Sequence, residues 1–402
     1  MNSRQMRAIV AGGGIGGLAA ALAFRQRGWE VAVLERAPAL VEVGAGIQIS
    51  PNGMKVLAAL GVAEALAARA FEPEALELRL GRSGRRIFSI PAGPAATARW
   101  GAPYLHVHRA DLLAILATAL EARAPGCLRL PAQVTQYSQT AQAVAAHLAD
   151  GTAVEGDVLV GADGIHSAIR TQMIGPDEPV FTGNVAWRAV VPMERLGAHT
   201  PPPTACVWAG PGRHAVTYRL RGGTLANFVG VVERDGWTRE GWSEEGTREE
   251  TLADFAGWHP VVTHLIAQAG THYRWALFDR APLPRWSDGR ATLLGDAAHA
   301  TLPFLSQGAV MALEDAWILA RECAASPADI PAALTRFYAL RIARTSAVQK
   351  GSRANAKTFH RRTRMSQLAT YGPMWLAARL APGVVRSRQD WLYAADVTAP
   401  AS

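Results

Sequence analysis

Residues Arg7 to Glu35 constrain this chain more than any other stretch. An apolar run from Arg7 to Ala11 enters Gly12-Gly13-Gly14-Ile15-Gly16-Gly17, an Ala/Leu-rich segment follows to about Gly28, and Glu30 to Glu35 is apolar again. This reads as strand, helix and strand, with GxGxxG at the first turn. Glycine permits the tight turn and lets backbone N–H groups approach a pyrophosphate, whose charge the helix N-terminus favours. Glu35 ends the second strand, where a carboxylate accepts hydrogen bonds from both hydroxyls of a ribose. Gly12, Gly14, Ile15, Gly17 and Glu35 therefore predict a dinucleotide site; a turn that only packs helix on strand is the plainer alternative. The motif does not choose between FAD and NAD.

Bulk properties narrow the class. Hydrophobic residues make up 49% of the 402 and charged residues 18%, the balance of a globular protein and the reverse of a disordered one. Cys127, Cys206 and Cys323 lie far apart, so neither a disulfide framework nor a cysteine zinc site is expected, and a reducing cytoplasm fits. No apolar stretch approaches the ~18 residues of a membrane span, and the N-terminal glycines do not suit a signal peptide. The net charge is +8, and Phe337 to Leu380 holds no Asp or Glu while carrying Arg341, Arg344, Lys350, Arg353, Lys357, Arg361, Arg362, Arg364 and Arg379. A solvated face of C-terminal helices is the expectation, with attraction of anionic ligands the alternative and nucleic acid not expected.

Further along, a helix is predicted from His108-Arg109-Ala110-Asp111 to about Arg123, and strands near 128–130, 143–148 and 157–161. From Asn184 to Glu233 alternating runs separated by Gly/Pro/Arg turns read as a meander. Strands return at 274–278 and 290–294, and a helix spans Ser306 to Ala324. The expected organisation is a discontinuous nucleotide-binding lobe (1–180 and 271–345), a sheet lobe over it (181–270), and C-terminal helices with a tail (346–402).

Two later motifs decide the cofactor. Val160-Gly161-Ala162-Asp163-Gly164-Ile165-His166-Ser167 with Arg170 resembles a "DG" motif, and Leu294-Gly295-Asp296-Ala297-Ala298-His299 with Pro303 resembles a "GD" motif. With GxGxxG ahead of them, the chain resembles the FAD-dependent aromatic hydroxylase class of flavoprotein monooxygenases from Gly12 to about Arg344. The segments Trp187–Pro192 and Gly257-Trp258-His259-Pro260 resemble salicylate hydroxylase-like members, and the chain as a whole resembles the salicylate hydroxylase and 3-hydroxybenzoate 6-hydroxylase group. The resemblance implies an α/β fold: a Rossmann-type FAD-binding lobe, a sheet-rich substrate lobe and C-terminal helices. It implies tightly bound FAD, transient NADH or NADPH, O2, and hydroxylation of a small hydroxylated aromatic acid through a flavin C4a-hydroperoxide. Asp296 would hold a ribityl hydroxyl, Arg109 would sit by the FAD phosphates or flavin, and the Val134 backbone would meet the adenine. Asp163 would brace its loop beside the pyrophosphate, Arg36 and Gln48 complete the cofactor set, and Pro303, Gly308 and Ala309 would face the flavin's pyrimidine edge. Gln307 would lie beside the substrate.

His214 and Tyr218 are four residues apart on a predicted strand, so both share one face with Val216. Attack by an electrophilic oxygen favours a phenolate, which calls for a base with a near-neutral pKa. His214 is the candidate base, with Tyr218 and Gln307 positioning the ring; a merely packed histidine is the plainer reading. His299 is expected to be structural. No residue grouping suggests iron, so no metal is expected and the oxygen chemistry falls to the organic cofactor. Ser306 stands where relatives often carry Gly or Ala, and Val310 where they carry small or polar residues; both are expected to flank the pocket. No second GxGxxG marks a nicotinamide domain. Attack on a larger polycyclic ring and a non-catalytic FAD-bound redox module are the rival functions, and a homodimer is the assembly left open.

Overall fold

The computed structural model describes residues 5–40, 46–236 and 244–400. Arg7–Ala11, Glu30–Leu34 and Val158–Gly161 are near-continuous apolar strands, as strands covered on both faces must be. They form the centre of a six-stranded sheet, flanked by Leu128–Arg129 on one side and by Ala291–Leu293 and Ser287–Asp288 on the other. Pairing is parallel except at the last strand. The helix Ile15–Gln26 is buried from Gly17 through Phe24, packed against the helices Arg109–Arg123 and Gly308–Ala325. Small residues make this possible: Ala19, Ala20, Ala21 and Ala23 let helix backbones approach closely.

Over this lobe lies an eight-stranded, mostly antiparallel sheet built on Val180–Pro192, Ala205–Gly210, Arg213–Leu220 and Leu225–Glu233. Alternation sorts its faces. Val185, Trp187, Ala189 and Val191 pack with Trp208 and Phe228 under the helices Arg248–Asp254 and Pro260–Gln268, whereas Arg188 faces the other lobe. The expected lobe boundaries were too narrow here. Ala75–Leu80 and Arg86–Pro91 join the sheet at one end and His272–Asp279 joins toward the other, because edge strands recruit backbone partners regardless of sequence distance. The boundary expected at residue 345 also falls inside a continuous helix, Ile330–Phe359.

That long helix corrects part of the reading of the basic stretch as a solvated face: Lys350, Lys357, Arg362, Arg364 and Arg379 are exposed as expected, whereas Arg341 is buried and Arg344, Arg353 and Arg361 are only partly exposed. Arg341 is fully buried, donating through Nε to Asp315 Oδ1 at 2.7 Å and pairing with Glu314 Oε2 at 2.8 Å. Arg344 clasps Glu314 through Nε and Nη2 at 2.8 and 2.7 Å, and Arg353 pairs with Asp279. Arg341, Arg344 and Arg353 thus supply partners for carboxylates elsewhere in the chain. Burial alone would raise the carboxyls of Glu314 and Asp315, but Arg341 and Arg344 override it at Glu314, and His299 followed by Arg341 overrides it at Asp315, so both lie below their ordinary values. Removing one member strands an uncompensated charge: Arg341→Leu is expected to cost about 3–5 kcal/mol, read as a lower urea midpoint at unchanged slope.

Candidate active site

A cleft of about 420 Å³ opens between the lobes. Its first wall begins at the glycine turn. Gly12 has φ +109° and donates its N–H to Leu34 O at 2.8 Å; a Cβ there would strike the Ala162 carbonyl, and a Cβ on Gly17 would strike the Gly12 carbonyl. Glycine is therefore required at both, by backbone conformation and by packing. Gly14 caps the Ile15–Gln26 helix without any side-chain bond, a Cβ there would meet nothing within 4 Å, and with Ile15 and Gly16 it lines the cleft. Beside it the loops after Gly161 and Leu294 are clamped together by buried Arg170, whose Nη2 donates to Ile165 O at 2.7 Å and Nη1 to Ala297 O at 3.3 Å.

Asp296 begins the short helix Asp296–His299 and is exposed at the cleft wall. His299 turns away, its Nε2 2.5 Å from Asp315 Oδ2, which also accepts from Gly295 N at 3.2 Å. Next comes a turn, Pro303–Leu305, then Ser306 in the left-handed region at φ +54°. This residue swings the chain so that the Gly308–Ala325 helix starts at the cleft. Its first intrahelical bond runs from Met311 N to Gln307 O at 2.7 Å, and no side chain caps the first turn. Gly308 and Ala309 line the cleft, and a methyl on Gly308 would lie 4.0 Å from Asp296 Oδ1.

The opposite wall is the inner face of the eight-stranded sheet. His214, Val216 and Tyr218 line it together, opposite Val231, Val229 and Asn227 in register. Arg188, on the neighbouring strand, lines it too, its guanidinium 4.3 Å from the centre of the Trp275 ring. Tyr218 is buried, its ring 4.8 Å from that of His106, and burial pushes its hydroxyl pKa upward, so it faces the cleft as a proton donor. His214 is 2% exposed and lies edge-on to Phe304. Burial, and then neighbouring His360, hold its pKa well below 6.5. The near-neutral base expected from the sequence is corrected: low dielectric penalises the imidazolium.

The family described as FAD binding domain matches residues 5–329. Over 90% of both chains the protein is 41% identical to the 3-amino-4-hydroxybenzoate 2-monooxygenase PtnB3 of Streptomyces platensis. It is 38% identical to 3-hydroxybenzoate 6-hydroxylase 1 of Aquipseudomonas alcaligenes, covering 86% of this chain and 87% of that one. The crystal structure of Klebsiella pneumoniae HpxO complexed with FAD and uric acid matches with a TM-score of 0.82 at 29% identity, over 95% of this chain and 96% of that one. The chain belongs to the FAD-dependent aromatic hydroxylases.

Several features of the hydroxylase fit the cofactor. The turn at Gly12 to Gly17 offers a helix N-terminus to a pyrophosphate, Arg109 lines the same cleft as a cation, Asp296 presents an exposed acceptor, and the uncapped Gly308 helix offers N–H donors to an electron-rich ring edge. Pro303 and Gln48 are also in the wall; Gln48 Oε1 accepts from Tyr104 Oη at 2.8 Å and Ser306 Oγ at 3.0 Å. Others lie outside it. Glu35 accepts from Gly13 N and Ala37 N at 2.7 and 2.8 Å, so it braces the turn while keeping lone pairs for a ribose. Arg36 is exposed beside it. Val134 starts a strand in the separate three-stranded sheet. Asp163 accepts from Ile169 N at 3.3 Å, and burial raises its pKa.

Gln307 requires correction. It is buried away from the cleft, donating from Nε2 to Ser50 Oγ at 2.9 Å and accepting from Asn52 Nδ2 at 3.2 Å, because the turn that puts Ser306 toward the cavity turns the next side chain inward. Val310 is likewise fully buried, against Gly53. His259 and Trp258 are structural: His259 Nδ1 accepts from Val261 N at 3.3 Å to cap a helix, and Trp258 packs against Gly81 and Gly210. Sequence reasoning missed Arg188, Tyr104 and Tyr393 as lining residues. For Arg188 a signal existed, an arginine alternating with the apolar residues of one strand. Gly12→Ala is expected to destabilise the turn and lower FAD occupancy at least about tenfold, measured by the urea midpoint and the flavin absorbance of the purified protein.

Proposed function

We propose that this hydroxylase consumes NAD(P)H and O2 to place one oxygen atom on a small hydroxylated aromatic acid, releasing the other as water. The observation that carries the reading is the opposition of two chemistries across one narrow cleft. On one side stand Asp296 and the uncapped N-terminus of the Gly308 helix; on the other stand Arg188, His214 and Tyr218. The volume bears on substrate size. Pockets that hold small ligands span roughly 300–1,000 Å³, and a cleft of about 420 Å³ lies toward the small end of that range, in keeping with a small substrate. The relatives named above act on an aminohydroxybenzoate and a hydroxybenzoate.

Bound FAD, reduced by NAD(P)H, supplies the activated oxygen. The N–H groups of Gly308 and Ala309, at the uncapped helix start, would stabilise negative charge on the bound ring through the helix dipole. Asp296 would hold the cofactor chain, Arg109 its phosphates, and Val134 would meet the adenine end. Arg188 balances the substrate carboxylate, Tyr218 donates a hydrogen bond that orients the ring, and His214 takes the phenol proton so that the ring carries phenolate electron density. The apolar walls, Val216, Val229 and Phe304 among them, exclude water from the reaction.

A panel of 3-amino-4-hydroxybenzoate, 3-hydroxybenzoate, salicylate and hydroxynicotinate should contain at least one compound that stimulates NAD(P)H oxidation in air and gains one oxygen by mass spectrometry. FAD-loaded protein stimulated by none of them would overturn this reading and favour a redox module. His214→Asn is expected to retain FAD and lose about 100-fold or more in hydroxylation rate. The sign with pH follows from the depressed pKa. His214 is a base only when neutral, so the wild type loses rate only as pH falls through a value below 6.5, and the variant lacks that limb. Its deficit is largest in acid and shrinks as the phenol ionises unaided, as kcat/KM profiles will show.

A further inference from the structure

A buried base that takes a proton is left as a costly cation in a low-dielectric site, and passing a proton on relieves that cost. His214 has an immediate recipient. Its Nδ1 lies 2.7 Å from Nε2 of His360, a buried residue at the end of the Ile330–Phe359 helix. His360 Nδ1 lies 3.1 Å from Glu233 Oε1, at the end of the Leu225–Glu233 strand. Glu233 is partly exposed, and its Oε2 is held by Arg362, which is 76% exposed. Three side chains thus connect the substrate cleft to bulk water. Phe304 and Phe359 close around the His214 ring, with ring centres 5.2 and 5.1 Å away.

We infer that His214, His360 and Glu233 form a relay that carries the substrate's phenolic proton from the closed cleft to solvent. The inference rests on the reading of His214 as the base. The hydrogen-bond chain itself orients the base. Glu233, with its pKa held down by His360 and Arg362 against the opposing effect of burial, is an acceptor, so His360 carries its proton on Nδ1. That leaves His360 Nε2 with a lone pair, and His214 must carry its proton on Nδ1 to meet it. Among the described residues, nothing bonds His214 Nε2, which is left as a lone pair for the phenol. The carboxylate at the surface therefore selects the reactive nitrogen in the cleft.

The proton count closes. The substrate O–H bond breaks and its proton joins His214 Nε2, the Nδ1 proton of His214 moves to His360 Nε2, and the Nδ1 proton of His360 moves to Glu233 and then to water. Both imidazoles end neutral with reversed tautomers. Protonation of the product's oxygen from His214 Nε2 runs the relay backward and restores them. The charged groups around it keep both rings neutral between turnovers: burial first lowers the His360 pKa, Glu233 opposes this, and Arg213 and Arg362 reinforce it.

The test uses full-length FAD-loaded protein with 15N-labelled histidine. Long-range 15N–1H spectra should show His214 and His360 as Nδ1–H tautomers in the wild type, with His214 reverting to the ordinary Nε2–H form in His360→Phe. His214 found as Nε2–H in the wild type would overturn the relay. A kinetic arm mixes oxidised enzyme with 3-hydroxybenzoate and follows proton release by an indicator dye. Glu233→Leu and His360→Phe should slow release at least about tenfold at unchanged FAD content, with partial rescue by added imidazole. Wild-type release in both, with His214→Asn slow, overturns the relay and leaves the base standing. Wild-type release in His214→Asn as well overturns both.

Discussion

Two consecutive buried carboxylates, Glu314 and Asp315, govern the geometry of the site. Neither could stay ionised in the interior alone, and each is answered from a different part of the chain. Arg341 and Arg344 come from the long helix, Asn52 Nδ2 donates to Glu314 Oε1 at 2.7 Å from the first lobe, and His299 comes from the loop that carries Asp296. Replacing such a cluster with apolar side chains need not weaken a protein, so its value lies in specificity. It sets the rotation and depth of the Gly308 helix, and hence where that helix's free N–H groups emerge. The same bonds fix Asp296 beside them.

From that anchor the cleft acquires its polarity. The helix N-terminus sits on one wall, and the inner face of the antiparallel sheet supplies the other. Strand alternation places His214, Val216 and Tyr218 on that face while their neighbours enter the sheet's own core. Burial then acts on the two titratable groups in opposite directions, raising Tyr218 and lowering His214. One is kept as a donor and the other as an acceptor.

The buried polar groups around this cleft divide by function. Gln307, Ser50 and Asn52 satisfy one another beneath the helix start, and Arg170 ties the two cofactor-side loops together; these hold shape. Gln48, Tyr104 and Ser306 form a small network at the cavity surface. Ser306 owes its position to a left-handed backbone that costs energy for any residue but glycine. That cost is accepted at the point where the chain must turn from the Pro303 loop into the helix.

Some of this was written locally. The glycines at 12 and 17, the apolar strands of the parallel sheet, the capless helix after Pro303 and the alternation around His214 depend on neighbours a few residues away, so sequence alone specified the α/β fold, the dinucleotide turn and the shared face of His214 and Tyr218. The tertiary structure decided the rest. Whether Gln307 faces the cavity depends on one backbone angle at Ser306; which arginines of the basic stretch leave the solvated face depends on carboxylates 26 or more residues distant. The pKa of His214 is lowered first by burial and then by His360, 146 residues away. Charge and burial act through space, and a linear pattern records which groups exist without recording which of them meet.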